Sequence, residues 1–240
     1  SHSNSPDTGS TSIGSESGVD YHQSRTIEIQ NKENAIVRNS TFEGNVSIFI
    51  DIMGSDGALI ENTHFNGSVT QVRLLGGVLG THIKNTLFEA ALGDGIKSVK
   101  GTDEGVQNAL IENCVFINNN RDGIDTTGGF KNSTVQHSFF VKNGVSGLDI
   151  KTLIDIPENM NTNLMNKNIT LNNNEFIDNN NAVVMTTINR EGILNNSNWN
   201  DWAVQEIYMN DNIVETHFGD VRRIFLVKDS HTASFKNIRD

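Results

Sequence analysis

One short phrase recurs along most of this sequence: an apolar residue, any residue, asparagine, two further residues and then phenylalanine. Clear copies are "AIVRNSTFEGN" at 35–45, "ALIENTHFNGS" at 58–68 and "ALIENCVFINN" at 109–119. Three further copies begin at residues 81, 133 and 169, and degenerate ones lie at 207–217 and 233–240. The phenylalanines are 23, 23, 28, 24 and 36 residues apart. A period in the twenties is typical of a solenoid, in which each repeat forms one coil.

The aligned copies define two columns of residues. Asparagine forms one column, in which histidine replaces it once and aspartate once: Asn39, Asn62, Asn85, Asn113, His137, Asn173 and Asp211. Phenylalanine forms the other: Phe42, Phe65, Phe88, Phe116, Phe140 and Phe176. Each period carries short alternating apolar stretches, which are typical of strands. Leucine-rich horseshoes share the period but need leucine at several fixed positions and a helical return.

We therefore predict an all-β fold, a single-stranded right-handed parallel β-helix of about eight coils. Phenylalanine and isoleucine columns should fill its interior, while asparagine side chains hydrogen-bond in ladders within the turns. The long spacings after Phe140 predict loops inserted near 153–167 and 189–205. Residues 1–24 are rich in serine and glycine, so we expect a flexible linker or disordered N-terminus there and the β-helix domain over 25–240.

Charge and hydropathy limit the partners of the chain. A formal net charge of −11 repels nucleic-acid phosphates and anionic lipids. The apolar runs fall short of the ~20 residues that cross a bilayer, and no charged-then-apolar leader opens the sequence. We expect a monomer with no nucleic-acid partner and no membrane insertion. We also expect a secreted or extracellular protein whose signal has been removed, with the periplasm and the cell surface as alternatives.

The repeat predicts which side chains share the outer face of one sheet. Nine residues after a phenylalanine lie Lys97, Asp125 and Asp149 in successive coils, and strand alternation points them outward. A one-residue slip in the preceding coil adds Arg73 to this column. Lys151 lies two residues beyond Asp149 on the same face.

Carboxylates in neighbouring coils would stand ~4.8 Å apart and repel each other. Protonation, a salt bridge to Lys97 or Lys151, or a bound cation would relieve this repulsion. Two turn residues extend the acidic set, which is Asp94, Asp122, Asp125 and Asp149. Their oxygens, with no nearby sulfur or paired histidines, favour Ca²⁺ over zinc. The alternative is that they are solvated turn aspartates with lysine neighbours.

A lysine beside a cation and carboxylates suggests β-elimination on a uronic-acid polysaccharide. The proton that is removed lies next to a carboxylate, and its acidity is low until Ca²⁺ or arginine neutralises the developing negative charge. A lysine whose pKa falls near the metal can then take this proton. The 4-linked sugar leaves and an unsaturated end remains.

The repeat and the "DGID" stretch at 122–125 resemble the pectate-lyase-like β-helix superfamily, most closely the family-nine polysaccharide lyases. In that family an Asp-Asp-Gly-x-Asp turn binds Ca²⁺ and a lysine one coil later is the base. The resemblance covers 26–240 as architecture and 92–152 as motif. It implies that Asp122 and Asp125 are calcium ligands.

Two further matches to that family concern the neighbouring coils. Asp94 corresponds to a calcium ligand one coil earlier, and Arg121 stands where the family has its first aspartate. Asp149 stands where the family has its catalytic lysine. The implied base is therefore Lys151, two residues later, or Lys97 in "DGIK", which lies a coil before the family's position.

Six residues are candidates for substrate binding: Arg73, Lys100, Arg121, Arg190, Trp199 and Trp202. The tryptophans of "NNSNWNDWAV" could stack on sugar rings or pin their loop, and Arg190 could hold a substrate carboxylate or be solvated. The leading hypothesis is a Ca²⁺-assisted polysaccharide lyase acting on an acidic glycan. The alternatives are a glycoside hydrolase or epimerase on the same cleft, and a carbohydrate-binding or adhesin β-helix without catalysis.

Overall fold

The structure is a computed structural model that describes residues 24–99, 105–154, 166–189, 204–215, 223–228 and 233–236. Within these residues there are 24 strands and no helix. The strands pair in parallel in three sheets. Among the described residues, no helix is long and apolar enough to span a membrane.

The three sheets, called A, B and C, each take one strand from successive coils. Sheet A contains, in order, β1 (Arg25–Gln30), β4 (Ile48–Met53), β7 (Thr70–Leu75), β10 (Asp94–Val99), β14 (Asp122–Asp125), β17 (Ser146–Ile154), β20 (Asn181–Asn189) and β23 (Arg223–Lys228). Sheet B contains β2 (Ile36–Arg38), β5 (Leu59–Glu61), β8 (His82–Lys84), β12 (Leu110–Glu112), β15 (Phe130–Gln136), β18 (Lys167–Asn172), β21 (Gln205–Asn210) and β24 (Ala233–Lys236), and β11 (Val106–Gln107) also pairs with β15. Sheet C contains β3 (Thr41–Gly44), β6 (His64–Gly67), β9 (Leu87–Glu89), β13 (Val115–Ile117), β16 (Phe139–Val141), β19 (Glu175–Ile177) and β22 (Ile213–Glu215).

This strand order is that of a parallel β-helix, as the repeat predicted. In the described residues seven coils have a strand in every sheet, and an eighth coil contributes β23 and β24. The number of complete coils is therefore slightly lower than the eight expected.

The phenylalanine column forms the spine of the core. Successive rings from Phe42 to Phe176 stack with centroids 4.7 to 5.2 Å apart. The stacking is tightest around Phe116, whose ring is within 5° of the planes of both neighbours. Cys114 is buried, and burial raises the pKa of its thiol to about 12, so this thiol is unreactive at neutral pH.

The asparagine column has a different role from the one expected. Its members have positive φ, such as 50° at Asn39 and 49° at Asn62, which asparagine tolerates better than most residues. They lie at exposed corners, where one bond joins these two side chains. The buried ladder runs instead through Asn119, Asn143 and Asn179, whose Nδ2–Oδ1 distances are 2.9 and 2.8 Å.

A column of glycines faces the phenylalanine spine at the start of the sheet A strands. A Cβ at Gly95 would lie 3.0 Å from the Phe116 ring, one at Gly123 would lie 2.8 Å from Phe140, and one at Gly147 would lie 2.6 Å from Phe176. The repeated Gly in "DGIK", "DGID" and "SGLD" is thus a packing requirement of the stacked rings.

Candidate functional site

The middle strands of sheet A bring the predicted charged residues onto one outer face. Their register pairs Arg73 with Lys97, Lys97 with Asp125 and Asp125 with Asp149. Asp94 and Asp122 are the first residues of β10 and β14. The four aspartates are buried although they lie on the outward side of the sheet. Burial of an ionised carboxylate costs free energy unless opposite charges or hydrogen-bond donors compensate it.

Two lysines supply this compensation. Lys97 Nζ lies 3.1 Å from Asp94 Oδ2 and 3.1 Å from Asp125 Oδ2. Lys151 Nζ lies 3.2 Å from the same Asp125 oxygen and 2.7 Å from Asp149 Oδ2. The result is a chain of alternating charges across three coils, which relieves the carboxylate repulsion that the sequence implies.

The pKa values of these groups follow from burial and from the alternation. Burial alone would lower the pKa of Lys97, but the charges of Asp94 and Asp125 outweigh it and raise that pKa. The pKa of Lys151 is raised for the same reason, with Asp125 and Asp149 as its partners. For Asp125, burial opposes ionisation but both lysines together lower the carboxyl pKa. Burial raises the pKa of Asp149 despite the charge of Lys151.

Asp122 differs from the other aspartates because no lysine is near enough to pair with it among the described residues. Its backbone N–H donates to Asp94 Oδ1 over 3.3 Å, and the Ser146 hydroxyl donates to its Oδ1. Its Oδ2 is buried and has no hydrogen-bond partner in the part of the chain that is described. Burial, followed by the charge of Asp94, raises the pKa of this carboxyl well above its usual range.

Two hydroxyl residues orient the carboxylates and were not predicted from the sequence as part of the site. Thr127 donates both its backbone N–H, over 3.1 Å, and its hydroxyl, over 2.5 Å, to Asp125 Oδ1. This leaves Asp125 Oδ2 for the lysines. Ser146 plays a similar part at Asp122. The signal for Thr127 was its position two residues after Asp125, where an aspartate side chain can accept hydrogen bonds from the turn that follows its strand.

The predicted substrate-binding residues lie in different surroundings. The guanidinium of Arg73 is nearly buried and forks onto Asp51, with Nε 2.8 Å from Oδ1 and a terminal nitrogen 2.5 Å from Oδ2. Asp51 also pairs with Arg25 Nε at 2.5 Å. Arg121 is 40% exposed and its Nε lies 3.8 Å from Asp94 Oδ1. Four candidates lie outside the described residues: Lys100, Arg190, Trp199 and Trp202.

Three of the four predicted metal ligands form one group. Asp94, Asp122 and Asp125 each offer a carboxylate oxygen, and these oxygens lie within 4.8 Å of one another. We call this group the three-aspartate cluster. The unpartnered Asp122 Oδ2 and the all-oxygen donor set fit a hard divalent cation such as Ca²⁺. Asp149 lies outside the cluster and pairs with Lys151.

Comparison with known proteins agrees with the fold. Residues 8–155 match the family model described as the right handed beta helix region. The chain belongs to this right-handed β-helix family. No curated protein matches the chain in sequence.

Two solved structures share the architecture. The A-module of the mannuronan C-5 epimerase AlgE4 from Azotobacter vinelandii is similar with a TM-score of 0.61 and 12% identity, over 90% of this chain and 58% of that one. PfbA, a surface adhesin of Streptococcus pneumoniae, is similar with a TM-score of 0.57 and 15% identity, over 88% of this chain and 52% of that one. The chain thus spans less than two thirds of either structure. At these identities the similarity shows the β-helix fold, and it does not extend to a particular lyase family.

Proposed function

We propose that the protein binds an acidic, uronic-acid-containing polysaccharide along the outer face of sheet A and cleaves it by Ca²⁺-assisted β-elimination. The observation that carries this proposal is the set of two lysine ammonium groups held among buried carboxylates on three consecutive coils. Rigid parallel strands fix these groups, so the site is preorganised as a catalytic constellation requires.

The charge of the site explains why a cation is part of the proposal. Four aspartates face two lysines here, and the chain as a whole carries −11. An anionic glycan would be repelled by this excess of negative charge. The three-aspartate cluster would hold the cation, which would attract the substrate carboxylate and stabilise the charge that develops beside it.

Lys151 is our candidate for the base. Its ammonium group contacts one member of the three-aspartate cluster, Asp125, whereas that of Lys97 contacts two. The Lys151 side chain is 15% exposed, against 26% for Lys97. The aspartates raise the pKa of Lys151. A raised pKa favours the ammonium form, whereas Lys151 must be a neutral amine to take a proton from the sugar. Neutralising the charge of Asp125 would weaken this effect, since the field of that carboxylate is its largest electrostatic cause. Thr127 would then keep Asp125 aligned as its partners change.

C-5 epimerisation is the second candidate. It begins with the same loss of the proton beside the carboxylate, but a proton returns from the opposite face and the chain is not cleaved. Lys97 and Lys151 both contact Asp125 Oδ2. With one of them as the neutral base, the ammonium group of the other could donate its own proton to the opposite face of a sugar ring that lies between the two. One of the structurally similar proteins is named as a mannuronan C-5 epimerase, which supports this alternative.

The test is incubation with polygalacturonate, alginate and other uronate polymers, with Ca²⁺ and with EDTA. We expect ultraviolet absorbance from unsaturated ends, and loss of this signal in EDTA. New reducing ends without absorbance would indicate hydrolysis and would contradict elimination. Binding to the polymer without any product would indicate a non-catalytic module, a role that the similarity to an adhesin would accommodate.

The same proposal carries a place of action. Uronate polymers lie outside cells, so we propose that the protein is secreted or exposed on the cell surface. We also propose that it works as a monomer. Sedimentation of the purified chain, and fractionation of the cells that make it, would test this.

A further inference from the structure

Lys97 occupies a position that bears directly on cation binding. Its ammonium group bridges Asp94 Oδ2 and Asp125 Oδ2 at 3.1 Å each, and both aspartates belong to the three-aspartate cluster. Lys151, by comparison, contacts one member of the cluster, Asp125, while its other partner among the described residues is Asp149. A cation that binds the cluster must therefore compete with Lys97 for two of its three carboxylates.

Asp122 supplies an independent sign that the cluster receives a ligand. This side chain is fully buried, and its Oδ2 has no hydrogen-bond partner among the described residues. Buried carboxylate oxygens are almost always paired. Ser146 holds the other oxygen of the same carboxylate. The cluster thus has one carboxylate oxygen without a partner in the described part of the chain, and two carboxylates that the ammonium group of Lys97 holds.

We propose that Lys97 is an internal competitor of Ca²⁺: its ammonium group and the cation hold Asp94 and Asp125 in turn, and binding of the cation displaces the ammonium group. The inference rests on the cation site of the proposed function, but not on the elimination reaction. The two positive charges cannot share the cluster closely, because at contact distance their repulsion is large in a partly buried site. Competition weakens the site, so we expect Ca²⁺ to bind with a Kd of about 10⁻⁴–10⁻³ M, as extracellular calcium modules do.

Calorimetric titration of the whole chain with CaCl₂ tests the competition. Lys97→Met keeps the length of the side chain and removes the ammonium group, so we expect Ca²⁺ to bind at least about tenfold more tightly than to the wild type. Lys151→Met is the matched control, because it removes the same charge from a neighbour of Asp125 without freeing Asp94. Its effect should be clearly smaller, about threefold or less. Lys32→Met, at an exposed corner, should leave the Kd unchanged.

A second measurement uses the wild-type chain and does not depend on the folding of a variant. Reductive methylation followed by peptide mass spectrometry should show more modification of Lys97 with CaCl₂ than without it, and equal modification of Lys32. An unchanged or weaker Kd in Lys97→Met, or Ca²⁺-independent modification of Lys97, would overturn the inference. If unsaturated products still form with Ca²⁺ in that case, the proposed function stands and only the competition is wrong. If neither the wild type nor Lys97→Met binds Ca²⁺, the inference and the cation site are both wrong.

Discussion

Replacing Gly123 with alanine should destabilise the β-helix, although the backbone alone would favour the change. The φ of Gly123 lies outside the left-handed region, and at such positions Gly→Ala typically stabilises a protein by about 0.4–1 kcal/mol through the unfolded chain. The new Cβ, however, would lie 2.6 Å from Gly147 O, 2.8 Å from Phe140 Cδ1 and 3.1 Å from Phe116 Cβ. These atoms belong to three successive coils, so one small shift cannot relieve all three contacts.

Overpacking costs about 1–3 kcal/mol, and three close contacts place Gly123→Ala in the upper half of that range. About 1–2.5 kcal/mol of destabilisation therefore remains after the entropic gain. For a chain of this size we expect Tm to fall by about 2–10 °C, measured by circular dichroism with and without CaCl₂. Phe140→Leu provides the control, because a smaller side chain next to the new methyl group should reduce the cost of Gly123→Ala in the double variant. A Gly123→Ala chain as stable as the wild type would refute the packing explanation of the "DGID" glycine.

Three other predictions concern the interior and the site. Asn143→Ala removes the acceptor that Asn119 Nδ2 uses at 2.9 Å, so unfolding free energy should fall by about 1–3 kcal/mol in denaturant titration; an unchanged midpoint would mean that the ladder contributes nothing. Asp122→Asn should raise Tm at pH 7. The pKa of this buried carboxyl is raised, so its contribution to stability is present below its usual pKa of 3.8 and is lost as the pH rises toward its pKa in the folded chain. The gain in Tm from the substitution should therefore vanish in melts near pH 3, and a gain that does not depend on pH would exclude this origin. Lys151→Met removes the ammonium group that Asp125 and Asp149 share and should lower the unfolding free energy by about 3 kcal/mol. Adding Asp149→Asn should restore much of this free energy, and equal stability of the single and double variants would contradict the pairing.

The sequence predicts the columns of this fold because stacking makes the coils nearly identical. The phenylalanine spine follows from the period, and strand alternation then places Lys97 beside Asp125 and Asp125 beside Asp149. The one-residue slip that we allowed in the preceding coil is confirmed by the pairing of Arg73 with Lys97. These features depend on backbone register, which the repeat specifies.

Side-chain pairing depends on competition that the repeat does not specify. Arg73 is committed to Asp51 in the structure, since a bidentate fork with a fully buried carboxylate is stronger than an open position beside Lys97. Periodicity places Asp51, nine residues after Phe42, beside Arg73 in sheet A, but it does not reveal which neighbour Arg73 pairs with. The buried asparagine ladder contains Asn119 and Asn143. The asparagines of the repeated phrase instead lie at corners of the coils, where the backbone has positive φ. The position of the ladder follows from burial and backbone angles at single corners, which periodicity does not reveal either.

The central claim is that a lysine of sheet A removes the proton beside the carboxylate of a uronate unit. Proton NMR of alginate and polygalacturonate incubated with the protein and CaCl₂ in D₂O tests this step for both elimination and epimerisation. We predict unsaturated ends, or deuterium at C-5 of the uronate units, and loss of both signals in Lys151→Met/Asp149→Asn. Polymers that keep their C-5 protons and show no unsaturated ends, under conditions where the protein is folded and Ca²⁺ is saturating, would contradict the account.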